Sequence, residues 1–170
     1  MPGFVLCVAR LLPYKNVDAV IEAVARVPDA RLVIVGTGPE ESRLRHLAAA
    51  GAEGRVTFAG RVPDEQLRWV YRNSAALIAA SIEDYGLTPL EAAAFGKPSV
   101  ALRAGGFLDT IVEDCTGVFF DSLDRSQMAD ALNRALTREW SAGDLTAHAE
   151  QFSTARFQDR LRAVVDGVLA

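Results

Sequence analysis

A chain of 170 residues, 50% apolar and 24% charged, has the length for one domain with a sizeable core and is too short for a two-domain enzyme. Its formal net charge of −4 argues against nucleic acid or an anionic membrane as a bulk partner, so any anionic ligand has to be held by local groups. No apolar run approaches the roughly 20 residues of a membrane span, and the opening MPGFVLCVAR has neither the basic region nor the apolar length of a signal peptide, so a cytoplasmic location is expected.

In chain order, Phe4–Ala9 reads as a first strand without polar alternation. Cys7 lies within it. Cys7 and Cys115 are the two cysteines of the chain; both stand beside apolar residues at no metal-like spacing and are expected as buried, reduced thiols. The loop ARLLPYKNVD then carries Arg10 and Lys15 off the sheet edge. A guanidinium fork and a mobile ammonium are able to neutralise a diphosphate; two solvated cations in a loop are the plainer alternative. Val17, Val20, Ile21, Val24 and Val27 recur at helical spacing and predict an amphipathic helix ended by Pro28.

A second strand, Arg31–Val35, leads into VIVGTGPEES. Gly36-x-Gly38 looks like the start of a dinucleotide fingerprint, but Glu41 occupies the third glycine position and no acid ends the following strand. A tight turn with Pro39 at the helix start accounts for it as well. A helix over Glu40–Ala50, a strand over Arg55–Ala59, the loop GRVPDEQL with Asp64 as N-cap, a helix over Asp64–Asn73 and a strand over Ala76–Ala80 follow.

The next stretch, IEDYGLTPLEAAAFGKPSVA, is a loop from Ser81 to Leu87 and then a helix start. Thr88-Pro89-Leu90-Glu91 matches a capping box, with Thr88 as N-cap and Glu91 reaching back to its amide. That explains Glu91 without a ligand but leaves Glu83 unexplained, as well as the close approach that Gly86 permits. A helix N-terminus is a ready phosphate site, and acids on either side of a diphosphate suit a sugar at one end and a ribose at the other. The pattern describes a nucleotide sugar.

Strands at Pro98–Leu102 and Gly117–Phe120 and helices at Asp109–Glu113 and Asp124–Arg138 complete the alternation. About six strands alternating with helices predict an α/β, Rossmann-like, doubly wound parallel sheet with flanking helices. In such sheets ligands lie beyond the carboxyl ends of the strands. After Trp140 no strand is expected; Phe157, Leu161, Val164, Val165 and Val168 form a helical stripe that covers either the sheet or a missing partner. His46 and His148 are expected at the surface, and with no Asp-x-Asp and no cluster of His, Asp and Glu, neither a metal nor a cofactor is expected.

Six segments, ARLLPYKNVD, VIVGTGPEESRL, VTFAGRVPDEQL, EDYGLTPLEAAAFGKPSV, AGGFLDTI and TGVFF, occur in the order found in one family. Across its length the chain resembles the C-terminal, donor-binding half of a retaining GT-B glycosyltransferase with a Glu-x7-Glu motif, of the group 1 glycosyl transferases. The resemblance implies that Arg10 and Lys15 bind the diphosphate, that the backbone around Gly86, Leu87 and Thr88 forms the phosphate-binding turn with Tyr85 also donor-binding, that Glu83 contacts the donor sugar and that Glu91 contacts the ribose. It places Arg61 and Val62 beside the base, for which a strand end followed by the Asp64 N-cap is an equal alternative, and Gly105-Gly106 near the site, which a simple turn explains as well. Arg10, Lys15 and Glu83 are the residues it would make catalytic. Asn16 departs from the glycine common after the lysine, and Asp109 from the glutamate common in the later helix.

The implied reaction is metal-independent, retaining hexosyl transfer to a glycan or lipid-linked acceptor. GDP-mannose is the first donor by likeness to bacterial mannosyltransferases of surface-polysaccharide or lipid-linked sugar assembly, and a UDP-hexose the second. Residues 1–170 would be one nucleotide-sugar-binding domain, with the acceptor-binding N-terminal domain absent and any peripheral membrane association confined to it. Alternatives are a stand-alone binding module without catalysis, a sugar-nucleotide epimerase, and a hydrolase using Glu83 and Glu91, for which a capping, ribose-facing acid is a poor general acid.

Overall fold

In a computed structural model, which describes residues 3–169, the strands are β1 (Phe4–Val8), β2 (Leu32–Val35), β3 (Val56–Gly60), β4 (Ser74–Ala79), β5 (Ser99–Leu102) and β6 (Gly117–Phe120). They make one sheet in the order β3-β2-β1-β4-β5-β6, every pairing parallel. The helices are α1 (Val17–Arg26), α2 (Glu41–Gly51), α3 (Asp64–Asn73), α4 (Leu87–Ala94), α5 (Phe107–Thr110), α6 (Arg125–Thr137), α7 (Ala142–Glu150) and α8 (Thr154–Leu169).

Residues of β1, β2, β4, β5 and β6 are mostly apolar and are buried or half-buried on both faces, as the unalternated runs predict, whereas the edge strand β3 alternates and leaves Thr57 and Ala59 exposed on one face. With successive side chains pointing oppositely, Val5, Cys7, Ile34, Ile78, Val100 and Val118 meet Val20, Val24, Leu44, Met128 and Leu132 on one side. Leu6, Val35 and Leu77 meet Val70, Tyr71 and Ala92 on the other. Phe107 completes the second side with Ala101, Ile111 and Phe119. The valine and isoleucine stripe of α1 is buried as its spacing predicts.

The strand order reverses between β1 and β4. Chain leaving β1 turns toward α1 on one face and chain leaving β4 toward α4 on the other, so a crevice opens above their carboxyl ends, the general ligand position of such sheets.

Several local expectations are corrected. Gly86, with φ of 82°, turns the chain into α4 two residues earlier than expected; it is the N-cap, and no side chain caps it. The capping box does not form, and Glu91 instead accepts a hydrogen bond from Tyr71. Extended Pro63 is the boundary residue before α3, so Asp64 is its first helical residue and not its cap. Pro39 lies in a turn ahead of Glu40, the N-cap of α2. The helix expected at Asp109–Glu113 is the shorter α5, because Ile111 adopts an extended conformation and leads into a turn closed by Val112 donating to the Thr116 hydroxyl.

Cys7 is buried as expected, but Cys115 is exposed. His46 is exposed, whereas His148 is half-buried, its Nε2 3.0 Å from the Thr110 carbonyl. The tail is helical, as α7 and α8, and the stripe from Phe157 to Val168 is exposed, so it does not cover the sheet.

Candidate functional site

A cavity of about 260 Å³ lies over the ends of β1 and β4, lined by Lys15, Glu83, Tyr85, Gly86, Leu87 and Thr88 among others. It meets a second of about 370 Å³ that runs toward β2 and β3 past Arg10, Arg61 and Val62. Val8, Ala9 and Lys15 line both, so the two are parts of one trough along the sheet edge. Nine of the ten residues named as donor-binding thus gather in this trough, and Glu91 lines neither part.

Lys15 closes a single 3-10 turn, Pro13–Lys15, that Asn16 terminates in the left-handed conformation with φ of 51°. Such a conformation costs most side chains roughly 1–2 kcal/mol, and Asn is among the few that adopt it through local hydrogen bonding. Here the Asn16 Nδ2 donates to the Ala80 carbonyl at 2.8 Å, tying the Lys15 loop to the end of β4. The departure from glycine at this position therefore keeps the backbone geometry and adds a clamp.

The Lys15 ammonium lies 2.5 Å from Glu83 Oε1 and 4.7 Å from the centre of the Tyr14 ring. The Ser81 hydroxyl donates to the same carboxylate oxygen. Glu83 is held from behind as well: the Gly106 amide donates to its carbonyl at 2.7 Å, and a Cβ on Gly105 would lie 2.4 Å from that carbonyl oxygen. The glycine pair thus acts by letting the β5–α5 loop press against residues 83–85. Gly36 and Gly38 have the same kind of explanation, since side chains there would strike the Ala9 and Leu11 carbonyls. No ligand contact is needed to account for them.

At the mouth of the cavity stands the N-terminus of α4, whose first-turn amides have no intrahelical acceptors and whose dipole is positive at this end. Arg10 and Arg61 are exposed, and among the described residues neither has an ion-pair partner. Between these guanidiniums lies an apolar floor of Val35, Val62 and Leu67. Chemically, the trough offers an anion two free guanidiniums, an ammonium and a helix N-terminus, and offers hydroxyl donors the Glu83 carboxylate.

Burial pushes the Cys7 thiol up to about 12 despite the opposing pull of Lys15, so at neutral pH this cavity-lining cysteine is a protonated, unreactive thiol. Tyr71 is likewise raised, first by burial and then by its hydrogen bond to Glu91, and remains a donor across the neutral range. Sequence reasoning missed Ser81 and the clamp by Asn16. Ser81 stands two residues before Glu83, yet only the loop's conformation turns its hydroxyl onto the carboxylate.

The profile described as Glycosyl transferases group 1 matches residues 1–154. The chain is 35% identical over 166 residues to a D-inositol 3-phosphate glycosyltransferase of Mycolicibacterium smegmatis, covering 92% of this chain and 38% of that protein. It is 31% identical over 172 residues to a GDP-mannose-dependent alpha-(1-6)-phosphatidylinositol monomannoside mannosyltransferase of the same organism, covering 93% and 45%. The chain spans about two fifths of the length of the curated relatives it matches. In fold it is similar to the crystal structure of Anabaena Alr3699/HepE in complex with UDP and glucose, with a TM-score of 0.82 at 24% identity, covering 97% of this chain and 48% of that one.

Proposed function

The chain belongs to the glycosyl transferases group 1 family, with the Rossmann-like fold of one GT-B half, and from that premise we propose that it binds the nucleoside diphosphate sugar for a retaining hexosyl transfer to a glycan or lipid-linked acceptor. The observation that carries this reading is the meeting of Lys15 and Glu83 over the N-terminus of α4, at the point where the strand order reverses. An anion site and a hydroxyl-accepting carboxylate side by side suit a diphosphate joined to a sugar.

In this reading the diphosphate lies along Arg10, Lys15 and the first amides of α4, the sugar meets Glu83, and the base rests on Val62 beside Arg61. Glu91, held by Tyr71 and outside the lining of the trough, is given the ribose by the family resemblance alone. As the glycosidic bond breaks, negative charge grows on the leaving diphosphate, and these cations and the helix dipole stabilise it more than they stabilise the bound ground state. They supply the charge balance that a metal ion would otherwise supply.

GDP-mannose is the favoured donor, supported by the mannosyltransferase among the relatives, and a UDP-hexose is the second, supported by the UDP and glucose of the structural neighbour. The acceptor side would come from a further domain, as the greater length of the relatives suggests, and this chain alone would transfer little. Among the described residues no helix is long and apolar enough to cross a membrane, and use of a nucleotide sugar fits a cytoplasmic site.

Calorimetric titration with GDP-mannose, UDP-glucose, GDP and UDP tests the reading and ranks base and sugar. Binding is expected to survive EDTA, and Lys15→Ala should weaken it by about tenfold or more, given the strength of charge-assisted hydrogen bonds. Affinity unmoved by that substitution would return the Lys15 loop to a solvated-cation role.

A further inference from the structure

We propose that the Lys15–Glu83 ion pair is a selectivity element: it penalises a free nucleoside diphosphate relative to the intact sugar nucleotide. The inference rests on the donor-site reading above. The cation that would serve a diphosphate is paired with the acid that would serve a sugar, at 2.5 Å and with side chains only 12% and 27% exposed.

The two ends of the pair differ in freedom. Glu83 is fixed by the Ser81 hydroxyl on its carboxylate and by the Gly105–Gly106 loop against its backbone. Lys15 has a long flexible stem and keeps the face of the Tyr14 ring within reach when it swings. A diphosphate entering the cavity therefore draws Lys15 away and leaves Glu83 behind.

What happens to Glu83 then depends on the ligand. In this pose a free nucleoside diphosphate brings no hydrogen-bond donor to Glu83, its ribose hydroxyls lying at the other end of the diphosphate, and a part-buried carboxylate that has lost its cation opposes binding both by incomplete solvation and by repelling the phosphate charge. An intact sugar nucleotide brings hydroxyls that donate to Glu83 and replace the lost partner. Discrimination arises through the unpaired group in the wrong complex, the same logic by which a site built for a hydroxyl rejects an analogue lacking it. After transfer the sugar has gone, and re-forming of the ion pair favours departure of the diphosphate.

Titration of the full chain and of Glu83→Gln with UDP, UDP-glucose, GDP and GDP-mannose tests this, with circular dichroism to verify the fold and Glu83→Ala as a second variant of the same expected sign. Removing the charge should tighten binding of the free diphosphate by roughly fivefold or more and shrink the advantage of the sugar nucleotide over it. If the wild-type chain binds these ligands and Glu83→Gln leaves the diphosphate affinity unchanged or weaker, the selectivity role is overturned and the donor site stands. A wild-type chain that binds none of the four overturns both.

Discussion

Lys15 and Glu83 are 68 positions apart in the chain and share one carboxylate oxygen with Ser81. As residue types in strand-to-helix loops both are legible in the order of amino acids, since loop cations and acids next to a helix start carry a chemical meaning of their own. Their direct pairing is not legible there, because it depends on where two loops from different strands come to rest. Gly105 shows how narrow that placement is: its φ is 58°, and a Cβ would lie 2.4 Å from the Glu83 carbonyl oxygen. Gly105→Ala should cost roughly 1–3 kcal/mol in strain, a fall in melting temperature of several degrees for a chain of this size. It should also weaken nucleotide binding through displacement of Glu83. Thermal denaturation with and without ligand checks both effects.

At the scale of elements, α4 begins beside the cavity where the sequence places a helix start, but by a different device. The capping box expected of Thr88 and Glu91 follows from residue identities alone, whereas Gly86 turns the chain by its backbone and Tyr71, on the neighbouring α3, captures Glu91. A tertiary partner outweighs a local one. The α8 stripe has the opposite lesson: its periodicity predicts a helix, and the helix is there, yet its side chains from Thr154 to Val168 are exposed. Packing within this domain therefore owes α8 little. Truncation after Ser153 should shift the melting temperature by no more than about 2 °C, the scale of surface changes, as differential scanning calorimetry would show. A drop of roughly 10 °C would mean that α8 packs against the domain in solution.

For the whole molecule, the buried Cys7 links the core to alkaline stability. Its thiol lies raised from 9.0 to about 12 in the folded chain, so below pH 9 both states keep the proton and the thiol costs nothing. Above pH 9 the unfolded chain ionises while the folded chain does not, and stability is lost as pH climbs toward about 12. The slope from one such group is at most about 1.4 kcal/mol per pH unit. Urea unfolding at a series of alkaline pH values should show a shallower loss in Cys7→Ala than in wild type; equal slopes would place the sensitivity elsewhere, with Tyr71 as the next group raised in the same direction.

What the sequence determines by itself is the succession of apolar runs and amphipathic stripes, and with it six strands, the covered sheet and the loops that carry charge. Burial averaged over neighbouring residues is a local property, so it survives in the order of amino acids. The tertiary structure alone decides that β1 lies beside β4, since strand order follows from how crossovers pack on the two faces and not from any one segment. That adjacency brings Lys15 to Glu83, lets Asn16 clamp the end of β4, and seats the Gly105–Gly106 loop behind the acid.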